Sequence, residues 1–422
     1  MKKYETYKDC GIEWLGKIPE HWKVVPLKFN LSLKARVGWK GLKSDEFEKD
    51  SYAYLVTGQD FNGEEINWSN CYQIGKERYE EDSYIQLKNG DLLITKDGTI
   101  GKVAKVKNLS KPACLNSGIF VVRQINNNYS QDFLYWLFMS NLLSEYNKSL
   151  STGSTIQHLY QNVFENMPLQ VPPISEQERI VSYLDNTIGL VESLISAKER
   201  QVEDLQQYRS SVISEAVTRG LHPEVEFRDS GIEWIGKIPF YWDTYKLKYL
   251  VNLQSGTNLT AEQIQEDGLY PVYGGNGLRG YYNEFSNDGL FILIGRQGAL
   301  CGNINYANGK FWATQHAVVC YPKKDFVTKW LGELLRAMNL NQYSESAAQP
   351  GLSVERIKQL VIPVPPISEQ QEIADYLDNM TSKIDATIQE LKTQIEDLRQ
   401  YKKSVISEAV TGKVDLRDWK PK

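Results

Sequence analysis

The sequence predicts an α+β chain: two globular α/β domains separated by two long antiparallel coiled-coil helices, closed into a circular pseudo-twofold repeat. Three observations carry that prediction. A block of about fifty residues occurs twice: "VPPISEQERIVSYLDN" at 171–186 returns as "VPPISEQQEIADYLDN" at 364–379, and "SVISEAVT" at 211–218 returns at 404–411, both displaced by 193 residues. A second repeat, "DCGIEWLGKIP" at 9–19 and "DSGIEWIGKIP" at 229–239, is displaced by 220. Inside the longer block the apolar residues recur with 4-3-4-3 spacing, which is the seam of a coiled coil rather than the face of a globular surface helix.

The segments follow in order. Residues 1–21 form an entry segment that pairs with the C-terminus, 22–170 a first globular domain, and 171–242 a central helical arm and connector. Residues 243–363 form a second globular domain and 364–422 a distal arm. The prolines of "VPPIS" cannot continue a helix backwards, so Ser175 and Ser368 are expected as N-caps, with Glu178 and Gln371 completing capping boxes. Gly220 and Gly412 stand where a left-handed residue ends each helix. The first seam runs through Leu184, Ile188, Val191, Ile195, Val202 and Leu205, with Lys198 and Arg209 as polar members. The second runs through Leu377, Ile384, Ile388, Leu391, Ile395 and Leu398, with Thr381 and Lys402. An arm of this length extends ~65 Å at 1.5 Å per residue, and only an antiparallel pair lets one compact domain bridge the end of one arm to the start of the other.

That pairing explains the two offsets. The connector 221–248 has its counterpart split between the C-terminal "KVDLRDWKPK" and the N-terminal "MKKYETYKDCGIEWLGKIPEHW", so the chain termini should lie close together. The globular domains share a pattern but little sequence. "GDLLITKDGTIGKVAKV" (90–106) matches "GLFILIGRQGALCGNINY" (289–306) as strand, glycine turn, strand, and "CLNSGIFVV" matches "WATQHAVVC". Trp14 and Trp234 are expected to pack the entry segments against the arms.

Composition narrows the function. A chain of 422 residues with 41% apolar and 24% charged residues is of globular type, with no stretch apolar enough for a membrane helix and no apolar export segment in "MKKYETYKDC", so the cytoplasm is expected. Five cysteines without paired spacing and four scattered histidines argue against a disulfide framework and a metal site. The net charge of −5 conceals two local basic clusters: Lys23, Lys28, Lys34, Arg36, Lys40 and Lys43, then Lys96, Lys102, Lys105, Lys107 and Lys111.

"GIEWLGKIPEHW", the doubled "VPPISEQ" helix start, "ISEAVTRGL" and "YPVYGGNGLRGYY" (270–282) together resemble the specificity subunit of a type I restriction–modification system, over essentially the whole chain. The resemblance implies that the globular domains are target-recognition domains, each reading one half of a bipartite site in double-stranded DNA. It implies that the arms set the spacing and dock two modification (methyltransferase) subunits, which restriction (translocase/endonuclease) subunits join. S-adenosylmethionine, ATP and magnesium would serve those partners, with no cofactor in this chain. No phosphate loop is present, and the Pro-Pro pairs, flanked by Val and Ile, are not a methyltransferase motif, so the chain is expected to be non-catalytic. The alternative is a coiled-coil adaptor without DNA specificity, which leaves the paired glycine-rich domains unexplained.

Candidate DNA contacts follow from side-chain type. Arg36, Lys40, Lys43 and Lys96 suit phosphates. Ser154, Thr155, Gln157 and His158 in "TGSTIQHLY" suit phosphates or base edges, as do Asn276, Arg279, Arg296, Gln297, Gln315, His316 and Gln349 in the second domain.

Overall fold

The computed structural model describes residues 2–36, 42, 44–150, 158–298, 300–344 and 351–420. The protein is of mixed α/β type and divides into two compact units, residues 1–197 with 394–422, and residues 198–393. Each unit therefore takes part of both long helices, Ile174–Arg219 (the first arm) and Ile367–Val410 (the second arm).

In the first unit a four-stranded antiparallel sheet has the order Val103–Lys105, Leu92–Thr95, Ile119–Gln124, Leu31–Lys34. Period-2 alternation sends its residues to two cores. Leu92, Ile94, Phe120 and Val122 face the helix Gln131–Met139, through Phe133, Leu134, Leu137 and Phe138. Leu93 and Val121 face a second sheet, Ala113–Leu115, Ala53–Val56 and Tyr72–Ile74, in which the first two strands run parallel. Because both faces are covered, Leu92–Thr95 reads as an unbroken apolar run and is wholly buried.

The second unit repeats this plan. Its antiparallel sheet has the order Val251–Ser255, Ala317–Pro322, Phe291–Gly295, Ile304–Ala307. Ile292 and Ile294 face the helix Thr328–Ala337, through Trp330, Leu331, Leu334 and Leu335. Leu293 and Val319 face a second sheet that holds Phe311 and Ala313, where Tyr270–Gly274 pairs in parallel with Lys310–Ala313. The match expected between 90–106 and 289–306 is thus a match of hairpins in equivalent sheets.

The repeated "GIEW" segments are hairpins as well, Tyr7–Asp9 with Lys17–Pro19 and Phe227–Asp229 with Lys237–Pro239, in the same register. Trp14 and Trp234 pack partly buried against the cores that include arm residues. A two-stranded ribbon then leads from each domain into its arm: Lys23–Pro26 with Pro168–Val171, and Asp243–Lys246 with Val361–Val364.

The arm starts depart from expectation. Each helix begins one residue before the serine, so Ser175 and Ser368 lie inside the first turn and do not act as N-caps. The glutamine two residues after each serine binds outside the helix instead. Gln177 Nε2 donates to Pro172 O at 2.9 Å while its Oε1 accepts from Ser130 N, and Gln370 repeats both bonds with Pro365 O and Val327 N. The buried amide thereby ties the bend before the arm to the start of the domain's helix. At the other end, Gly220 (φ +74°) and Gly412 (φ +70°) adopt the left-handed conformation expected. A β-carbon at Gly412 would lie 2.5 Å from Pro19 Cδ, so space and backbone both demand glycine there.

Every predicted seam residue is buried or half-buried. In the first unit Leu184 and Ile188 share a core with Val405, Ile406 and Ala409, the start of one arm meeting the end of the other. In the second unit Val212, Ile213 and Ala216 meet Ile373 and Leu377, again end against start. Each leucine, isoleucine and valine among them contributes about 1.5–3 kcal/mol by leaving water. Among the polar seam positions, Lys402 Nζ lies 2.6 Å from Glu192 and Arg209 Nε 2.9 Å from Asp385, both pairs across the arms. Asp415 N donates to Lys2 O at 2.9 Å and Lys2 Nζ lies 3.0 Å from Asp418, which places the N-terminal segment beside the C-terminal one as the split repeat requires.

Candidate nucleic-acid interface

In each unit three loops converge on the turn of the central hairpin, and the same backbone bonds hold them. In the first unit Lys96 N donates to Gly118 O at 2.9 Å, Leu159 N donates to Lys96 O at 2.9 Å, and Asp97 bridges to His158. In the second, Arg296 N donates to His316 O and Leu352 N to Arg296 O, both at 2.9 Å, and Gln297 bridges to Gly351. Lys96 and Arg296 therefore occupy one backbone place, as do Asp97 and Gln297, Gly118 and His316, His158 and Gly351. Gly98 and Gly298 turn both hairpins at positive φ with open space around them. The frame is duplicated and the side chains on it are not.

Around the first turn the structure brings Lys96 and His158 together. His158 Nδ1 lies 2.7 Å from Asp97 Oδ1, and the Lys96 ammonium lies 3.9 Å from Asp97 Oδ2 and 5.6 Å from the centre of the Phe120 ring. His158 and Tyr160 are exposed. Lys40, Lys43, Ser154, Thr155, Gln157 and Gln349 lie outside the described residues.

Arg36 requires a correction. It is 2% exposed, with Nε donating to Leu115 O at 3.0 Å and Nη2 meeting Cys114 Sγ at 3.3 Å, so it braces the inside of the domain and cannot reach a phosphate. Burial still prevails at its neighbour, pushing the Cys114 thiol up to about 11 against the pull of the guanidinium. The second basic cluster is also largely spent internally. Lys105 is buried between Glu64 and Asp132, both at 2.7 Å, and Lys107 lies 3.3 Å from Glu64 and Glu65. Although burial works against ionisation, these two lysines hold the Glu64 carboxyl below its ordinary value. Lys111 donates to Ser51 O and Gln73 Oε1.

Around the second turn the structure gathers Asn276, Arg296, Gln297, Gln315 and His316. A β-carbon on Gly275 would lie 3.2 Å from His316 O and 3.4 Å from Gln297 O, so the "YGGNG" turn packs directly on the other two loops. Arg296 Nη1 donates to Ser255 Oγ at 3.1 Å, and Asn276 Oδ1 accepts from Asn303 Nδ2 at 2.8 Å. His316 is half-buried, 3.2 Å from Gln315 Nε2. Asn276, Arg279 and Gln297 are exposed, Arg279 on the strand that follows the turn. Three buried polar atoms here have no partner among the described residues: Thr314 Oγ1, Gln315 Oε1 and Asn305 Nδ2.

Two residues of these clusters escaped the sequence reading. Asp97 was not among the candidates, although its place beside Gly98 in "KDGT" marks the turn tip. Asn303 was hidden because it follows the turn by several residues and reaches Asn276 only through the hairpin's closure. The arrangement offers directional donors and acceptors, exposed or half-buried, on loops held together by backbone hydrogen bonds, as base and phosphate recognition requires. Among the described residues no three His, Cys, Asp or Glu side chains are grouped to hold a metal ion, and no helix is long and apolar enough to cross a membrane.

Comparison with known proteins identifies the family. A family model described as "Type I restriction modification DNA specificity domain" matches residues 19–204 and 239–397. The type I restriction enzyme EcoprrI specificity subunit of Escherichia coli is 44% identical over 142 residues, 32% of this chain and 35% of that protein. The MjaVIII specificity subunit of Methanocaldococcus jannaschii is 24% identical over 99% of this chain and 97% of its own length. Among solved structures, a chain described under "Structural basis underlying complex assembly and conformational transition of the type I R-M system" aligns with a TM-score of 0.70 at 16% identity, covering 93% of this chain and 98% of that one. The HsdS subunit from Thermoanaerobacter tengcongensis aligns with a TM-score of 0.51 at 17% identity, covering 94% and 98%. These structural likenesses are likenesses of fold.

Proposed function

Since this chain belongs to the type I restriction modification DNA specificity family, we propose that each of its two globular domains reads one half of a bipartite site in double-stranded DNA. The observation that carries the reading is the duplicated loop frame with unlike polar side chains, Lys96, Asp97 and His158 on one copy and Arg296, Gln297 and His316 on the other. One scaffold presenting two chemistries is what a reader of two different half-sites needs. A single domain gains about 1–3 kcal/mol per base pair, and linking two makes the second engagement intramolecular.

The two arms act in this reading as an antiparallel coiled coil that spaces the half-sites. Their outward apolar residues, Leu190 (67% exposed) and Leu194 on the first arm and Tyr401 on the second, support docking of modification subunits. The chain works in the cytoplasm and is non-catalytic. S-adenosylmethionine, ATP and magnesium are assigned to the modification and restriction subunits that would assemble on it.

The test is single-molecule sequencing of DNA from cells that express this chain with a modification subunit. A bipartite motif with methyladenine in both halves, lost on deletion of this gene, is expected. Methylation unchanged by the deletion would overturn the assignment.

A further inference from the structure

The equivalence of Asp97 and Gln297 points to what each domain selects. We propose that these two side chains are specificity-determining: Asp97 selects cytosine, and Gln297 adenine, at one base pair of their respective half-sites in the major groove. This rests on the DNA-reading function proposed above.

Asp97 sits at the tip of a turn pinned on both sides, by Lys96 N to Gly118 O and by Leu159 N to Lys96 O. Its Oδ1 is engaged by His158 Nδ1 at 2.7 Å. Its Oδ2 has no hydrogen bond among the described residues, with the Lys96 ammonium at 3.9 Å. A carboxylate on a surface that meets phosphates is repelled by them, so it costs affinity unless it finds a donor on a base edge. The flanking lysine and histidine temper that cost, and His158 also fixes the carboxylate's orientation. An ionised carboxylate only accepts. In the major groove the donors are the exocyclic amino groups of cytosine and adenine, while guanine and thymine present acceptors. Adenine sets the N7 acceptor beside its amino group, an arrangement that faces a second carboxylate oxygen unfavourably. Cytosine N4 is the better match for one free oxygen.

Gln297 stands at the same backbone place, exposed and without a side-chain hydrogen bond among the described residues. Its amide carries a donor and an acceptor side by side, which fits adenine N6 and N7 together. The space across the turn differs in the same sense. At Gly118 a β-carbon would lie 3.6 Å from Asp97 Cβ, in ordinary contact, whereas the equivalent place in the second domain carries a full side chain, His316.

The experiment is the methylated motif written in cells by the full-length chain with its modification subunit, for wild type, Asp97→Ala, Asp97→Asn, His158→Ala and Gln297→Ala. Asp97→Ala should relax one C·G pair of one half-site, with about ten- to hundredfold less discrimination there and none lost in the other half. Asp97→Asn, whose oxygen stays on His158 and whose free group becomes a donor, should move the preference at that position from cytosine to a base that presents acceptors, guanine or thymine, a gain that misfolding cannot mimic. His158→Ala should relax the same pair more weakly, and Gln297→Ala should relax one A·T pair in the other half. An unaltered motif in all four variants, or loss of methylation at every site in all of them, would overturn the inference while leaving the bipartite reading intact. Absence of any bipartite motif with the wild-type chain would instead overturn the reading beneath it.

Discussion

Trp22 Nε1 donates to the buried carboxylate of Glu176 at 3.0 Å, and the same bond recurs between Trp242 and Glu369 at 2.9 Å. In each unit it joins the end of the entry hairpin to the first turn of an arm. Glu176 also accepts from Tyr4 Oη at 2.9 Å and lies 2.6 Å from His21 Nε2, while Glu369 accepts from Tyr241 Oη at 3.2 Å. Glu176→Ala strands two buried donors, Trp22 and Tyr4, and is expected to cost about 2–4 kcal/mol. Glu369→Ala, with Tyr241 already half in water, should cost less. Hydrogen exchange over residues 4–22 in Glu176→Ala is the measurement, and protection equal to wild type would refute the assigned role.

Arg36 and Lys96 should separate cleanly. Arg36→Ala leaves Leu115 O and Cys114 without their donor and is expected to destabilise the first domain by about 1–3 kcal/mol, with the salt dependence of DNA binding unchanged. Lys96→Ala is expected to leave stability alone and to reduce the slope of log K against log salt by about 0.9, the loss of one phosphate contact. Both are read by thermal unfolding and by binding isotherms at three salt concentrations. A reduced slope with Arg36→Ala would contradict its burial.

The arms were legible because their signal is periodic: Leu184, Ile188 and Val191 in one copy, Ile384, Ile388 and Leu391 in the other, repeat at the spacing that packing itself imposes. The glycine stops were legible because only a left-handed residue fits Gly220 and Gly412. Arg36 was misplaced because a basic residue at a strand's end reads as surface, and nothing local announces that Leu115 O and Cys114, about eighty residues on, will enclose it. Lys105 and Lys107 looked like one basic face for the same reason, since their acidic partners Glu64 and Glu65 arrive from another strand. Ser175 does not cap because the helix already starts at Ile174, with Glu176 N and Gln177 N donating to Pro173 O, while the Gln177 amide ties Pro172 O to Ser130 N, a tertiary bond no local motif encodes.

The closure of the termini carries a pH dependence. The hydrogen bonds from Arg417 hold the Asp415 carboxyl below the ordinary carboxylate range. A carboxyl with a lowered value in the folded chain stabilises it above the ordinary value and loses that contribution as pH falls through the lowered one. The Asp415 amide, bonded to Lys2 O, should therefore lose exchange protection only in acid below the usual carboxylate range, and Arg417→Ala should shift that loss upward in pH. Identical profiles for the two chains would remove Arg417 from the closure.

Arm length should translate directly into DNA spacing. Seven residues add about two turns to a helix and return the seam to the same face, so Ile195 and Val202 on the first arm and Ile388 and Ile395 on the second would stay on the seam if one heptad were inserted in both arms. The insertion lengthens the pair by about 10 Å at 1.5 Å per residue, and B-DNA rises 3.4 Å per base pair along each strand, so the unspecified gap in the methylated motif should grow by about three base pairs with both half-sites unchanged. An insertion of five residues, which rotates the seam about 140° off its face at 3.6 residues per turn, should abolish methylation instead. If the heptad variant wrote the original gap, the arms would not be the ruler. If the five-residue variant remained active, the seam would not hold the arms together.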